Sequence, residues 1–373
     1  MTQVSMEAPR AARSGIAARR VSGADGDRTA LARMVITLLG LLLAATFLLS
    51  LASGASDASV LTVARDMVSG VAGDGALSAR DRIIVYDIRL PRAVLGVLIG
   101  AALAVSGAVM QGLFRNPLAD PGLVGVSAGA GLGAISIIVL GTGVLGPVVT
   151  TLGIYALPLA AFGGGLATTI LLYKVATRRG QTSVATMLLA GIALGAMAGA
   201  FSGVLVFVAD DAQLRDLTFW GLGSLAGATW LKVAAAGPII VAALIASPFL
   251  ARSLNGLALG EATAHHLGIP VQRMKSIAIV TVAGAIGAAV AVSGGIGFVG
   301  IVVPHLLRLL IGPDNRFLLP ASALLGASLL LLADAVARVI VAPAELPIGI
   351  VTAFFGAPFF LWILLRKRGV LDL

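Results

Sequence analysis

The sequence predicts an all-α polytopic membrane protein with about ten transmembrane helices and two inverted-topology repeats, and three observations lead there. The chain of 373 residues is 58% apolar and only 12% charged, with a mean hydropathy of +1.04. A soluble domain runs at roughly 45–50% apolar and about 25% charged, so this composition calls for an apolar solvent. Apolar runs long enough to cross a bilayer follow one another from Met34 to Leu365. A string is also said twice, GAALAVSGA at Gly100–Ala108 and GAAVAVSGG at Gly287–Gly295, and the same offset carries Pro117 onto Pro304. Two related halves in an apolar chain are the usual trace of a transporter whose pathway forms between them. Chance is the alternative for the string alone, because Ala, Gly and Val are abundant here.

Each span rests on a run of about 17 to 25 apolar residues, the length a helix needs to cross the hydrocarbon layer. Residues 1–33, rich in Arg, Gly, Ser and Ala, read as a disordered basic tail ahead of a permease domain covering 34–373. The spans that follow are Met34–Ala52, Ala93–Phe114, Gly122–Leu140, Pro147–Tyr173 and Val184–Val208. Then come Leu231–Leu250, Ser276–Val292, Gly297–Ile311, Phe317–Val336 and Ile348–Leu365; the eighth of the ten is short and contains Pro304. Strands are excluded, since in lipid they must close into a barrel and these runs lack barrel alternation. The repeated string opens the second and seventh spans, five apart, so its copies cross in opposite directions. The repeat halves, approximately 89–210 and 275–366, are thereby inverted.

Lys and Arg set the orientation. With the N-terminus inside, 18 of them fall on the inner side, among them Arg10, Arg115, Lys174, Arg252, Lys275, Arg308 and Lys367. Only eight fall outside: Arg65, Arg80, Arg82, Arg89, Arg92, Arg215, Lys232 and Arg338. That bias predicts both termini in the cytoplasm and an even number of spans. The net charge of +9 then reads as topology and contact with anionic membrane lipids, with no nucleic acid as partner. A cleaved signal peptide competes for the first span, because Ser50–Ala55 offers small residues after an apolar run. Its charged leader is longer than a normal n-region.

Absent chemistry narrows the function. Without cysteine there are no disulfides, thiolate metal sites or cysteine nucleophiles, and His265, His266 and His305 include no i, i+4 pair, so no metal site is expected. None of the four lysines follows a glycine, so the phosphate-cradling loop is missing and the chain does not hydrolyse ATP by itself. No acidic residue sits singly in mid-span as an ion relay would require. Asp334 lies near a helix end with Arg338 four residues on, which suits a structural ion pair. The energy source is therefore a partner. Glycines four apart, Gly125, Gly129 and Gly133 in the third span and Gly191, Gly195, Gly199 and Gly203 in the fifth, predict close helix packing. Breathing of those faces during transport is the mechanistic alternative.

Four long motifs carry a family resemblance. They are DIRLPRAVLGVLIGAALAVSGAVMQGLFRNPLADPGLVGVSAGAG at Asp87–Gly131, LALGEATAHHLGI at Leu257–Ile269, GGIGFVGIVVPHLLR at Gly294–Arg308 and LLADAVARVIVAPAELPIGIVTAFFGAPFF at Leu331–Phe360. Together they closely resemble the FecCD family, the permeases of type II ABC importers for cobalamin, ferric siderophores and haem. The resemblance covers nearly everything after Met34. It implies a homodimeric, non-catalytic permease of the bacterial inner membrane, with two cytoplasmic ABC ATPase subunits below and a periplasmic substrate-binding protein above. It implies no stably bound cofactor, and ATP held by the partner.

Three sites follow from the resemblance. Arg89 and Arg92 place guanidinium forks at the outer mouth, against the positive-inside trend, and with Arg338 they are expected to meet carboxylates of the binding protein. Anchoring to lipid headgroups is the alternative. Gly260, Glu261, Ala262, His265, His266, Leu267 and Gly268 form an element too short to span, with an acidic start and a histidine end. The family implies that it is the coupling helix seated in the ATPase; a plain surface helix is the alternative. Asn116, Pro117 and Leu118 resemble the first cytoplasmic gate, or else an ordinary Asn-Pro turn, and Ser183 with Val184 falls in the region of the second.

The segment Leu214–Trp230 resembles the haem-importing branch more than the cobalamin branch, although Trp220 and Trp230 also suit interfacial anchors. Haem is the expected cargo, with a ferric siderophore or cobalamin as alternatives. A secondary transporter would share inverted repeats but needs a midplane ion site. An intramembrane enzyme needs a nucleophile and base, and His305, beside Pro304, is better placed to bond backbone that the proline frees.

Overall fold

The computed structural model describes residues 28–53, 79–179, 181–341 and 344–366. Its helices are α1 (Thr29–Ala52), α2 (Leu90–Phe114), α3 (Val126–Leu140), α4 (Ala156–Ala176), α5 (Val184–Val208) and α6 (Asp211–Leu222). They continue as α7 (Trp230–Ala258), α8 (Glu261–His266), α9 (Val271–Ser293), α10 (Val299–Ile311), α11 (Asn315–Val339) and α12 (Ile348–Arg366). A π-helical turn, Ile84–Arg89, runs into α2, and the short helix Gly146–Leu152 precedes α4. Two-residue strands, Thr177–Arg178 and Gln181–Thr182, pair antiparallel between α4 and α5.

Among the described residues seven helical stretches are long and apolar enough to cross a membrane, and three shorter apolar helices, α3, α10 and α12, complete the ten predicted spans. Three boundaries move outward. α2 with its π turn starts at Ile84 and α9 starts at Val271, because the charged residues that close those apolar runs, Arg89, Arg92 and Lys275, are buried and bonded, and α7 runs on to Ala258. α1 likewise begins at Thr29, inside the predicted tail; the rest of that tail and Arg65 lie outside the described residues.

α2 is the centre of the bundle, buried along almost its whole length. Lipid is as apolar as leucine, so close van der Waals contact has to hold such a helix. Gly100 lies directly on the backbone of Gly326 and Ala327 in α11, and Gly107 on the backbone of Gly300 in α10. A β-carbon at either glycine would collide with main chain. The two copies of the repeated string are not positional equivalents. Gly100–Ala108 fills the middle of α2, whereas the second copy ends α9 and runs into a turn, where Gly294 has φ +72° against the Trp220 carbonyl.

Both short spans have one cause. After α2, Arg115 turns the chain at φ +50°, and the segment re-enters the bundle until Pro121 packs near Gly300. Only then does α3 start. In the other half the chain leaves α9 at Gly294, turns at Phe298 (φ +67°), and α10 starts at the level of Gly107. Irregular backbone is tolerated at that depth because protein, not lipid, surrounds it. The glycines of α3 meet α4, with Gly129 on Gly164 and Gly133 on Ala160. The stripe on α5 packs only in its first half, with Gly191 buried beside Gly125 and Gly195 near Ala128; nothing lies within 4 Å of a β-carbon built at Gly199 or Gly203, and Leu189, Phe201, Val204 and Phe207 are exposed.

Candidate docking, coupling and gate sites

The fold gathers Arg89, Arg92 and Arg338 at one end of the bundle and buries them, Arg89 and Arg92 being 4% and 7% exposed. Arg92 donates to Asp334 from Nε and Nη2 at 3.0 and 2.8 Å, and from Nη1 to Glu345 at 2.9 Å. Arg338 pairs with Asp334 at 3.1 Å and donates to the carbonyls of Ser50 and Ser53 at the end of α1. Arg89 donates to the Leu51 carbonyl at 2.8 Å. The anticipated Asp334–Arg338 pair is present as one arm of a larger network. A buried guanidinium without partners is costly, and here Asp334, Glu345 and backbone carbonyls bond the three forks from within. Glu345, with 39% of its side chain exposed, is the loosest partner.

On the opposite face, Gly260 (φ +103°) caps α8 and Gly268 (φ +78°) ends it, conformations that favour glycine. Ala264 turns inward, while Ala262, His265, His266, Leu267 and Gly268 are exposed, so the element presents a small mixed surface. Glu261 is held from within: Lys275 Nζ donates to its Oε1 at 2.7 Å.

Asn116 accepts the Leu118 N–H at 2.9 Å, so Asn116, Pro117 and Leu118 do form a local turn, and that turn starts the re-entrant segment. Ser183 caps α5 by accepting the Thr186 N–H, which makes Val184 the first helical residue. The adjoining Thr182 is buried and held on both sides, its N–H by Gln272 at 2.7 Å and its carbonyl by Lys275 at 2.9 Å.

Several of these residues escaped the sequence reading. Lys275 was counted only as an inner-face charge, yet it is 2% exposed. Gln111, alone among apolar neighbours in α2, accepts from Arg308 at 2.8 Å and donates to the Ile301 carbonyl at 3.3 Å, tying α2 to α10. Asp314 caps α11, accepts from Asn255 of α7 at 2.7 Å and pairs with Arg316 at 2.7 Å. Burial raises the Asp314 carboxyl, but the bonds from Arg316 and Asn255 outweigh it and hold the group below the usual carboxylate range. A polar residue in an apolar run, or three or four from another, was the available signal.

Comparison with known proteins places this architecture. Residues 42–366 match the FecCD transport family. The chain is 49% identical over 285 residues to the hemin transport system permease protein HmuU of Yersinia pestis, covering 76% of this chain and 84% of that one. It is 46% identical over 289 residues to the cobalamin import system permease protein BtuC of Halobacterium salinarum, covering 78% and 75%. A solved structure described as an inward-facing conformation of a metal-chelate type ABC transporter superposes with a TM-score of 0.77 at 30% identity, over 90% of this chain and 99% of that one. With ten apolar helices and two broken spans among its described residues, the chain belongs to the FecCD transport family, as a multi-pass, non-catalytic membrane permease of the ABC-importer type.

Proposed function

We propose that this chain carries haem across the bacterial inner membrane by alternating access, as a homodimer with two cytoplasmic ABC ATPases and a periplasmic binding protein, both of its termini cytoplasmic. The observation that carries the choice of haem is the 49% identity to a protein described as a hemin transport permease. The likeness of Leu214–Trp230 to the haem branch agrees with it. A second reading, cobalamin, is favoured by the 46% identity to a cobalamin permease. A ferric siderophore is the third.

Site roles follow. Arg89, Arg92 and Arg338 bind carboxylates of the binding protein; Glu345, the half-exposed partner of Arg92, is the one such a carboxylate can replace. Glu261–Leu267 couples to the ATPase through its exposed side, and Asn116–Leu118 with Ser183 and Val184 gate the inner end. The open surface of α5 around Gly199 and Gly203 supports a second copy across a shared pathway. ATP-dependent uptake into proteoliposomes holding permease, ATPase and binding protein, with haem, a ferric siderophore and cobalamin in parallel, tests the reading. Accumulation of haem alone is expected. Uptake of another ligand alone overturns the cargo, and uptake without the ATPase overturns the mechanism.

A further inference from the structure

The first turns of α9 carry three polar residues on one face, Gln272, Lys275 and Ser276, at the i, i+3, i+4 spacing that stacks side chains along a helix. All three bond to the α4–α5 junction. Ser276 Oγ lies 2.8 Å from Tyr173 Oη of α4, Gln272 takes the Thr182 N–H, and Lys275 donates to the Thr182 carbonyl. Lys275 alone also reaches α8, through Glu261. Its ammonium therefore joins the first residue of α8 to the residue just ahead of Ser183, and it does so while almost fully buried.

We propose that Lys275 is the positioning residue that transmits movement of α8 to the α4–α5 hairpin and the start of α5, so that a push on the coupling element resets the Ser183–Val184 segment. This rests on the proposed roles of α8 and of that segment. The geometry favours transmission over simple anchoring. Gln272 and Ser276 already fix the hairpin to α9, so stability alone does not require a buried charge there. Glu261 is half-exposed and would gain solvation if released. What the lysine adds is a second bond, made to a different element. The hairpin is rigid enough to respond as a unit: Thr177 and Thr182 hydroxyls meet at 2.9 Å across it, and the Ser183 N–H bonds back to the Ala176 carbonyl. A groove of about 420 Å³ between α8 and the hairpin, lined by Gln181, Glu261, His265 and Gln272, gives the two elements room to shift.

The test uses the full transporter in proteoliposomes, reading ATP hydrolysis and substrate uptake on the same preparation, with permease–ATPase co-purification as the control for assembly. Lys275→Met is expected to keep assembly and ATP hydrolysis while substrate moved per ATP falls at least about fivefold, the lower end of typical coupling between sites. Glu261→Gln should lower the same ratio, and Lys275→Arg should restore most of it. Gln272→Leu, which loosens the hairpin without touching α8, should lower thermal stability and leave the ratio unchanged. An unchanged ratio in Lys275→Met overturns the proposal, and so does a loss of ratio that Lys275→Arg fails to restore. Should Lys275→Met fail to fold, Lys275→Gln, neutral but still polar, decides by the same ratio. Ala262→Arg, on the exposed side of α8, separates the two levels: if it leaves co-purification intact, the coupling role of α8 fails whatever Lys275 does.

Discussion

A single methyl group at Gly107 would strike the backbone of Gly300, and no side-chain rotation can relieve main chain against main chain. Gly107→Leu is therefore expected to cost about 3 kcal/mol or more, as overpacking of a rigid site does, and to lower the Tm in detergent. Gly163→Ala, on an exposed part of α4 with open space around it, should leave the Tm where it was. The charge network grades in the same way. Asp334→Asn weakens the partner of two buried guanidiniums, so a loss of about 3–5 kcal/mol is expected, as for breaking a buried pair. Glu345→Gln touches a half-exposed partner and should cost about 1 kcal/mol or less. At this scale the sequence was legible for the i, i+4 pair Asp334–Arg338 and silent about Arg92, which joins Asp334 from 242 residues away. No local spacing encodes such a contact.

Among elements, α8 combines a solvent-facing surface with an internal tether, so its two sides should separate experimentally. His265→Ala with His266→Ala is expected to weaken ATPase co-purification while the Tm stays unchanged, since both rings are exposed. The cap that starts α11 responds to pH. Asp314 has a carboxyl held below its ordinary value, so its contribution is full above about pH 4, where the unfolded carboxylate is also ionised, and is lost as the pH falls through its folded value. Asp314→Asn should flatten that acid limb of a Tm-against-pH curve. All ten spans were legible, because apolar run length is a strong signal. α6 was not, although Asp210 and Gln213 form a capping box at its start; its polar turns fall below any search for apolar runs. The half-depth starts of α3 and α10 were hidden too, since a broken span reads as a merely short one.

For the whole molecule, the absence of cysteine makes topology easy to read. Single cysteines at His266 and Ile154 should react with a membrane-impermeant thiol reagent from opposite sides only, His266→Cys from the cytoplasm. Labelling of both from one side would break the alternating order of spans. That the repeated string falls on two buried helices, α2 and α9, was legible. Its register was not, because Gly and Ala recur wherever helices approach closely, and the two copies do unrelated work. The Arg92–Asp334 contact also has a consequence for biogenesis. α2 leaves the ribosome long before α11, and at about 5–20 residues per second the 242 intervening residues take about 12 to 50 s. Throughout that wait the central helix holds Arg92 without Asp334. The buried charge network of the permease is complete only when its ninth span arrives.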